Sequence, residues 1–196
     1  MRIFVPAAAG LCRPCRQCSP MDNGHFGMNN PEKNRIQTGP LVLAAAIVLV
    51  DQITKALVRT YLPAWTAKPL IPGFLNLVHV QNRGAAFGFL SHSQGLWQPV
   101  FFIIITIAAV AIILALMRTG HRKDGVFQFS LGAILGGAVG NLVDRIRLGT
   151  VTDFIDMYIG RLHWPAFNVA DTAISLGAFI LLIAVYRKGR HASSSD

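Results

Sequence analysis

Apolar residues run along this chain in four long blocks. No charge interrupts Pro99 to Met117 or Gly125 to Val143, and Trp164 to Tyr186 contains only Asp171. Pro40 to Tyr61 is a fourth block if Asp51, Lys55 and Arg59 are accommodated. A helix needs about 20 mostly apolar residues to cross a bilayer, so the pattern predicts four transmembrane helices. Helix 1 is expected to start after Pro40 and end before Pro63, and helix 4 to begin near Pro165 to Asn168. Residues 62–96 form a long connection. Within it, "GFLNLVHVQN" has the β-branched and aromatic content of a short strand or hairpin, and the glycine-rich "NRGAAFGFL" follows. A short basic loop joins helices 2 and 3, and residues 146–163 form the third connection, on the same side as the first. No internal repeat and no second soluble domain is visible.

The polar residues inside these blocks fall at helical spacing. Asp51 and Lys55 are i and i+4, the orientation in which an acid and a base pair. Gly132, Gly136 and Gly140 repeat every four residues, and Asp144 continues the stripe. Such a groove of small residues lets another helix approach closely. Asn141 and Arg145 lie beside Asp144, and Asn168, Asp171, Thr172 and Ser175 share one face of helix 4.

Composition agrees with the membrane reading. The chain is 53% hydrophobic and only 14% charged, with a mean hydropathy of +0.47, too apolar for a soluble domain. A net charge of +9 would suit nucleic acid, but its distribution is a topology signal. Arg2, Arg13, Arg16, Lys33 and Arg35 precede helix 1; Arg118, Arg122 and Lys123 link helices 2 and 3; Arg187, Lys188 and Arg190 follow helix 4. With four spans these regions share one side. The other side carries Arg59, Lys68, Arg83, Arg145, Arg147 and Arg161 mixed with Asp144, Asp153 and Asp156. The positive-inside rule therefore predicts both termini in the cytoplasm. No nucleic-acid partner is expected.

Residues 1–38 are polar and rich in Pro, Gly and Asn, the composition of a disordered tail. They hold all three cysteines, Cys12, Cys15 and Cys18. A metal or iron–sulfur site wants a fourth ligand, and none follows at a suitable spacing. The expectation is a cytoplasmic tail with reduced thiols.

Depth brings the polar clusters together. Helix 1 runs outward, and Asp51 lies about 16 Å beyond Pro40 at 1.5 Å per residue, at or past the middle of a core about 30 Å thick. Asn141, Asp144 and Arg145 end outward-running helix 3, and Asn168 and Asp171 start inward-running helix 4. All three clusters thus converge on the extracytoplasmic half. Structural roles compete with function for most of them. Asp51–Lys55 suits an intramembrane strut as well as a site, Asp144–Arg145 suits a helix-end ion pair, Asn82 and Arg83 suit a turn, and Asp156 suits a cap or a water-facing position. Asp171 is different, because no basic residue lies within one turn of it, and an unpaired intramembrane carboxylate is a functional candidate by default.

No H-E-x-x-H zinc motif and no G-x-S-x-G elbow is present. An aspartyl pair remains. Two carboxylates sharing a site cannot both ionise easily, so the pair holds one proton. Its ionised member can take a proton from water while the neutral one hydrogen-bonds a scissile carbonyl. That is peptide hydrolysis without a metal or another cofactor.

"DQITK" (51–55), "NRGAAFG" (82–88), "GGAVGNLVDRI" (136–146), "VTDFID" (151–156) and "FNVADTAI" (167–174) resemble, in order and spacing, the motifs of the bacterial lipoprotein signal peptidases, or signal peptidase II. The match covers roughly residues 40 to 188. The resemblance implies an all-α integral membrane protein of four transmembrane helices with a small extracytoplasmic β-cradle. It implies an inner-membrane aspartic endopeptidase that cleaves signal peptides from prolipoproteins just before the diacylglyceryl-modified cysteine. By motif, Asp153 and Asp171 would be the catalytic pair, with Asn168 and Arg145 in support. Asp51, Lys55, Asn82, Gly84, Asn141 and Asp144 match the positions that shape the pocket. The expected organisation is a tail over 1–38, a peptidase domain over 39–188 and a cytoplasmic tail over 189–196, acting as a monomer among membrane lipids. The long amino-terminal tail departs from the family pattern and makes Met21 and Met28 alternative starts.

Two rivals belong to other classes. A small transporter would use Asp51, Lys55 and Asp171 as an ion relay, but a relay spreads polar residues through both leaflets, whereas helix 2 and the inner halves of helices 3 and 4 are nearly bare. A non-enzymatic lipid- or signal-peptide-binding protein on the same scaffold would not need both Asp153 and Asp171.

Overall fold

The computed structural model describes residues 36–84, 97–119 and 124–193. The tail bearing Cys12, Cys15 and Cys18 lies outside the described residues. Four helices are long and apolar enough to cross a membrane: α1 (Thr38–Tyr61), α2 (Trp97–Thr119), α3 (Gly125–Leu148) and α4 (Val169–Ser193). Between them lie β1 (Ala67–Ile71), β2 (Leu75–Asn82), β3 (Val151–Ile159) and β4 (Leu162–His163), which form one antiparallel sheet in the order β1-β2-β3-β4.

Helix α3 is the hub, packed against α4, α1 and α2. The glycine stripe explains how. A Cβ at Gly132 would lie 2.5 Å from the Pro40 carbonyl oxygen, and one at Gly136 would lie 2.7 Å from that of Ala44, so only glycine lets α1 come this close. In a bilayer, where lipid is as apolar as the helix faces, such close packing replaces hydrophobic burial as the source of association. The expected groove is therefore present, and its occupant is α1. Polar caps set the ends of α3. Asp124 accepts the Phe127 amide at 3.1 Å, and Gly149, at φ 71°, donates to the Arg145 carbonyl at 3.0 Å. The turn at Gly149–Thr150 then sends the chain straight into β3.

Helix α2 starts at Trp97, where the 62–96 connection is expected to end, and Pro99 fits in its first turn, where a missing amide costs nothing. Two other boundaries differ from the sequence expectation. Helix α4 continues to Ser193, into the segment expected as a tail. Residues 146–163, expected as a plain connection, contain β3 and β4. Strand β3 pairs Val80 with Asp153 and Asn82 with Val151 across β2. It also accepts the chain leading into α4: Phe167 donates to the Ile155 carbonyl at 3.0 Å and accepts from the Phe154 and Ile155 amides. That bridge puts the α4 start directly beside Asp153.

Candidate active site

Two backbone junctions build the site. The α3–β3 turn carries Asp144 and Asp153, and the β3–Phe167 bridge brings in Asn168 and Asp171. Asn168, fully buried, ties β3 to the start of α4. Its Nδ2 donates to Asp153 Oδ1 at 2.7 Å, its backbone amide donates to Asp171 Oδ2 at 3.3 Å, and its Oδ1 accepts the Asp171 amide at 2.9 Å. Asn141 on α3 donates to Asp171 Oδ1 at 2.8 Å, and Asn82 on β2 donates to Asp153 Oδ2 at 3.0 Å. Each carboxylate therefore receives two donors, an arrangement that fixes both without neutralising either.

Asp153 is almost completely buried. Burial pushes its carboxyl up to about 7, with the Asp171 charge adding to the rise. The Asn82 and Asn168 hydrogen bonds and the Lys55 cation pull the other way. Two carboxylates that share a bridging residue and feel each other's charge favour a form with one proton between them. Asp153 also lines a cleft of about 820 Å³ whose walls include Arg59, Gln81, Asn82, Thr150 and Pro165.

The remaining sequence-predicted residues surround this pair. Asp51 and Lys55 form the expected i,i+4 ion pair at 2.8 Å, both fully buried. Gly84, at φ 94°, donates to Asn82 Oδ1 at 2.8 Å and packs so tightly on the Phe102 ring that a Cβ would collide with it. Asp144 corrects one expectation. It does not pair with Arg145, because neighbours on a helix point about 100° apart and do not face each other. Its partners are Lys55 at 3.4 Å and Arg59 at 3.5 Å. Arg145 instead lies over the Phe102 ring, 5.4 Å from its centroid, with its charge in range of Asp171, Asp153 and Asp144. Asp156 corrects part of another. It caps no helix; partly open to water, it pairs with His163 at 3.0 Å and accepts from Asn76 at 2.9 Å.

Sequence reading passed over Gln52, Arg59 and Thr152. Gln52 donates to the Gly140 carbonyl at 3.1 Å and to Asp144 at 3.2 Å, and Arg59 donates to Thr152 Oγ1 at 3.1 Å. The signal for Arg59 was present, since Asp51, Lys55 and Arg59 repeat every four residues along one face of α1.

Comparison with known proteins agrees with this geometry. The sequence pattern of the family described as Signal peptidase (SPase) II matches residues 43–187. A lipoprotein signal peptidase of Maridesulfovibrio salexigens is 48% identical over 146 residues, covering 74% of this chain and 94% of the relative. That of Nitratidesulfovibrio vulgaris is 49% identical over 156 residues, covering 80% and 92%. Two bacterial membrane enzyme structures solved by the in meso method superpose with TM-scores of 0.70 and 0.69 at 30% and 31% identity. They cover 80% and 78% of this chain, and 92% and 95% of their own. The chain belongs to the signal peptidase II family.

Proposed function

We propose that this protein is a membrane aspartic endopeptidase that removes signal peptides from prolipoproteins, cutting immediately before the diacylglyceryl-modified cysteine. Asp153 and Asp171 form its dyad. The observation that carries this reading is the Asn168 bridge, which bonds both carboxylates beside an open cleft. Asp153 carries the shared proton and hydrogen-bonds the scissile carbonyl; Asp171 takes a proton from the attacking water. As the tetrahedral intermediate collapses, the proton now on Asp171 goes to the leaving amine. The chain's own residues complete this cycle without a cofactor. Cleavage of a purified lipidated precursor is therefore expected to proceed unchanged in excess chelator. Activity lost to chelator and restored by a divalent metal would replace the dyad with a metal-assisted mechanism.

Substrate chemistry explains why a carboxylate stays beside lipid. A diacylglyceryl-modified cysteine keeps its acyl chains in the bilayer and delivers its scissile bond near the surface. We read residues 39–188 as the peptidase domain, acting as a monomer among lipids in the inner membrane, with residues 1–38 and 189–196 as cytoplasmic tails. The sheet is then an extracytoplasmic cradle. Its exposed Trp65, Ile71, Phe74, Leu162 and Trp164 supply the aromatic and apolar surface of a membrane–water interface. Reporter fusions after Tyr61 and after Leu162 should both read as extracytoplasmic. A cytoplasmic signal at either point would move the sheet and the dyad to the other face.

A further inference from the structure

Lys55 is the only cation among the described residues with no exposed surface, and it does not line the cleft beside Asp153. It sits at the centre of three contacts: Asp51 Oδ2 at 2.8 Å, Asn141 Oδ1 at 2.9 Å and Asp144 Oδ2 at 3.4 Å. Each contact leads one step further. Asp51 Oδ1 accepts the backbone amide of Ala170 at 3.0 Å, the residue just before Asp171. Asp144 Oδ2 accepts the backbone amide of Thr152 at 3.1 Å, the residue just before Asp153. Asn141 Nδ2 donates to Asp171 itself.

The third contact fixes an orientation. An ammonium group can only donate, so Lys55 must face the oxygen of the Asn141 amide. That leaves the Asn141 amino group to face Asp171. If Asn141 turned over, two donors would meet at Lys55 and two acceptors at Asp171. The two carboxylates also need the cation. Without it, Asp51 and Asp144 would share only Arg59, 3.5 Å from Asp144, and a buried charge that loses its partner is strongly unfavourable.

We propose that Lys55 is a positioning residue for the reaction: it anchors both aspartates at once, through the amides that precede them, and sets the amide direction of Asn141 toward Asp171. The proposal rests on the reading of Asp153 and Asp171 as the dyad. It explains why one buried lysine is surrounded by carboxylates from α1 and α3 while the residues it serves lie on β3 and α4. A shift of either aspartate by about 1 Å costs roughly 100-fold in rate.

The test uses the full chain in detergent with a diacylglyceryl-modified precursor. Lys55→Met removes the charge and its donors. Lys55→Met combined with Asp51→Asn and Asp144→Asn also removes the stranded carboxylates, and each asparagine keeps one oxygen for the Ala170 or Thr152 amide. In either variant that inserts at normal levels, kcat is expected to fall roughly 100-fold while KM stays within about threefold. In Lys55→Met the high-pH limb of the kcat profile should also move upward, because the Lys55 cation no longer favours ionised Asp153; the combined variant, which also removes two carboxylates, is read for kcat and KM alone. The other charged groups facing Asp153, namely Asp171, Arg145 and the cleft residues Arg59 and Arg83, are unchanged in Lys55→Met. A merely structural lysine would lower the yield of enzyme without moving that limb. Wild-type kcat and pH profile, a loss confined to KM, or disappearance of both variants from the membrane would overturn the proposal. Asp153→Asn is assayed in parallel. If it stays active the dyad itself falls; if it is inactive while the Lys55 variants behave as wild type, only the positioning role falls.

Discussion

Asp153→Asn and Asp171→Asn are each expected to lower turnover on the order of 10⁴-fold, the upper range for a positioned acid or base. Either change leaves a pair that cannot both hold and accept a proton. Combining them should cost little more than one alone, since residues acting as a unit are strongly non-additive. Folding and insertion should survive, because asparagine keeps the volume and one acceptor. The hydrogen-bond pattern locates the small cost. At position 153 the new amino group would face the Asn82 donor, and Asn82 cannot turn over freely because its oxygen holds the Gly84 amide. At position 171 the oxygen can stay on Asn141, and the amino group displaces only the longer bond from the Asn168 amide. A penalty of about 1 kcal/mol in each case is consistent with losing one hydrogen bond. Asp156→Asn is the control, since its partners are His163 and Asn76 and it has no contact with the dyad. It should keep most activity. An Asp171→Asn enzyme with wild-type turnover would remove the dyad from consideration.

The parts of this arrangement that were legible in the sequence are those written at helical spacing. Uninterrupted apolar length predicts the four helices, the Gly132–Gly136–Gly140 stripe predicts a close helix contact, and the Asp51–Lys55 interval predicts their pair. What a stripe meets is a tertiary fact that spacing alone does not carry. The partner of Asp144 is decided by which helix enters the glycine groove, so the neighbouring Arg145 looked like its partner when Lys55 and Arg59 of α1 are. Strand β3 was hidden for a related reason. Its burial does not alternate, and it carries Asp153 and Asp156 at positions an ordinary strand would fill with apolar or neutral residues. The chemistry that makes β3 important is what erased its strand signature. Five ordered motifs pointed to the family before any geometry, but the bridge through Asn168 and the anchoring through Lys55 exist only once four separate segments have met.

The pH dependence of turnover follows from the same burial. The carboxyl of Asp153 lies outside the membrane-spanning segments and is pushed up to about 7, first by burial and then by the Asp171 charge. A carboxyl is neutral below its pKa, so in the proposed mechanism the pair keeps its shared proton below about 7 and loses it as the pH rises through that value. The doubly ionised pair has no proton for the scissile carbonyl, so kcat should fall on the alkaline side near that value, as an apparent constant of the pair. Asn82→Ala supplies the internal check. The Asn82 hydrogen bond favours the ionised form of Asp153, so removing it should carry the alkaline limb to higher pH. Changing Asp156, which does not touch Asp153, should leave the limb where it is. The measurement is kcat on a lipidated precursor from pH 5 to 9 at constant ionic strength, with enzyme integrity checked at each end. A kcat that stays flat to pH 9, or a limb that moves downward in Asn82→Ala, would mean that a proton on Asp153 is not part of the reaction.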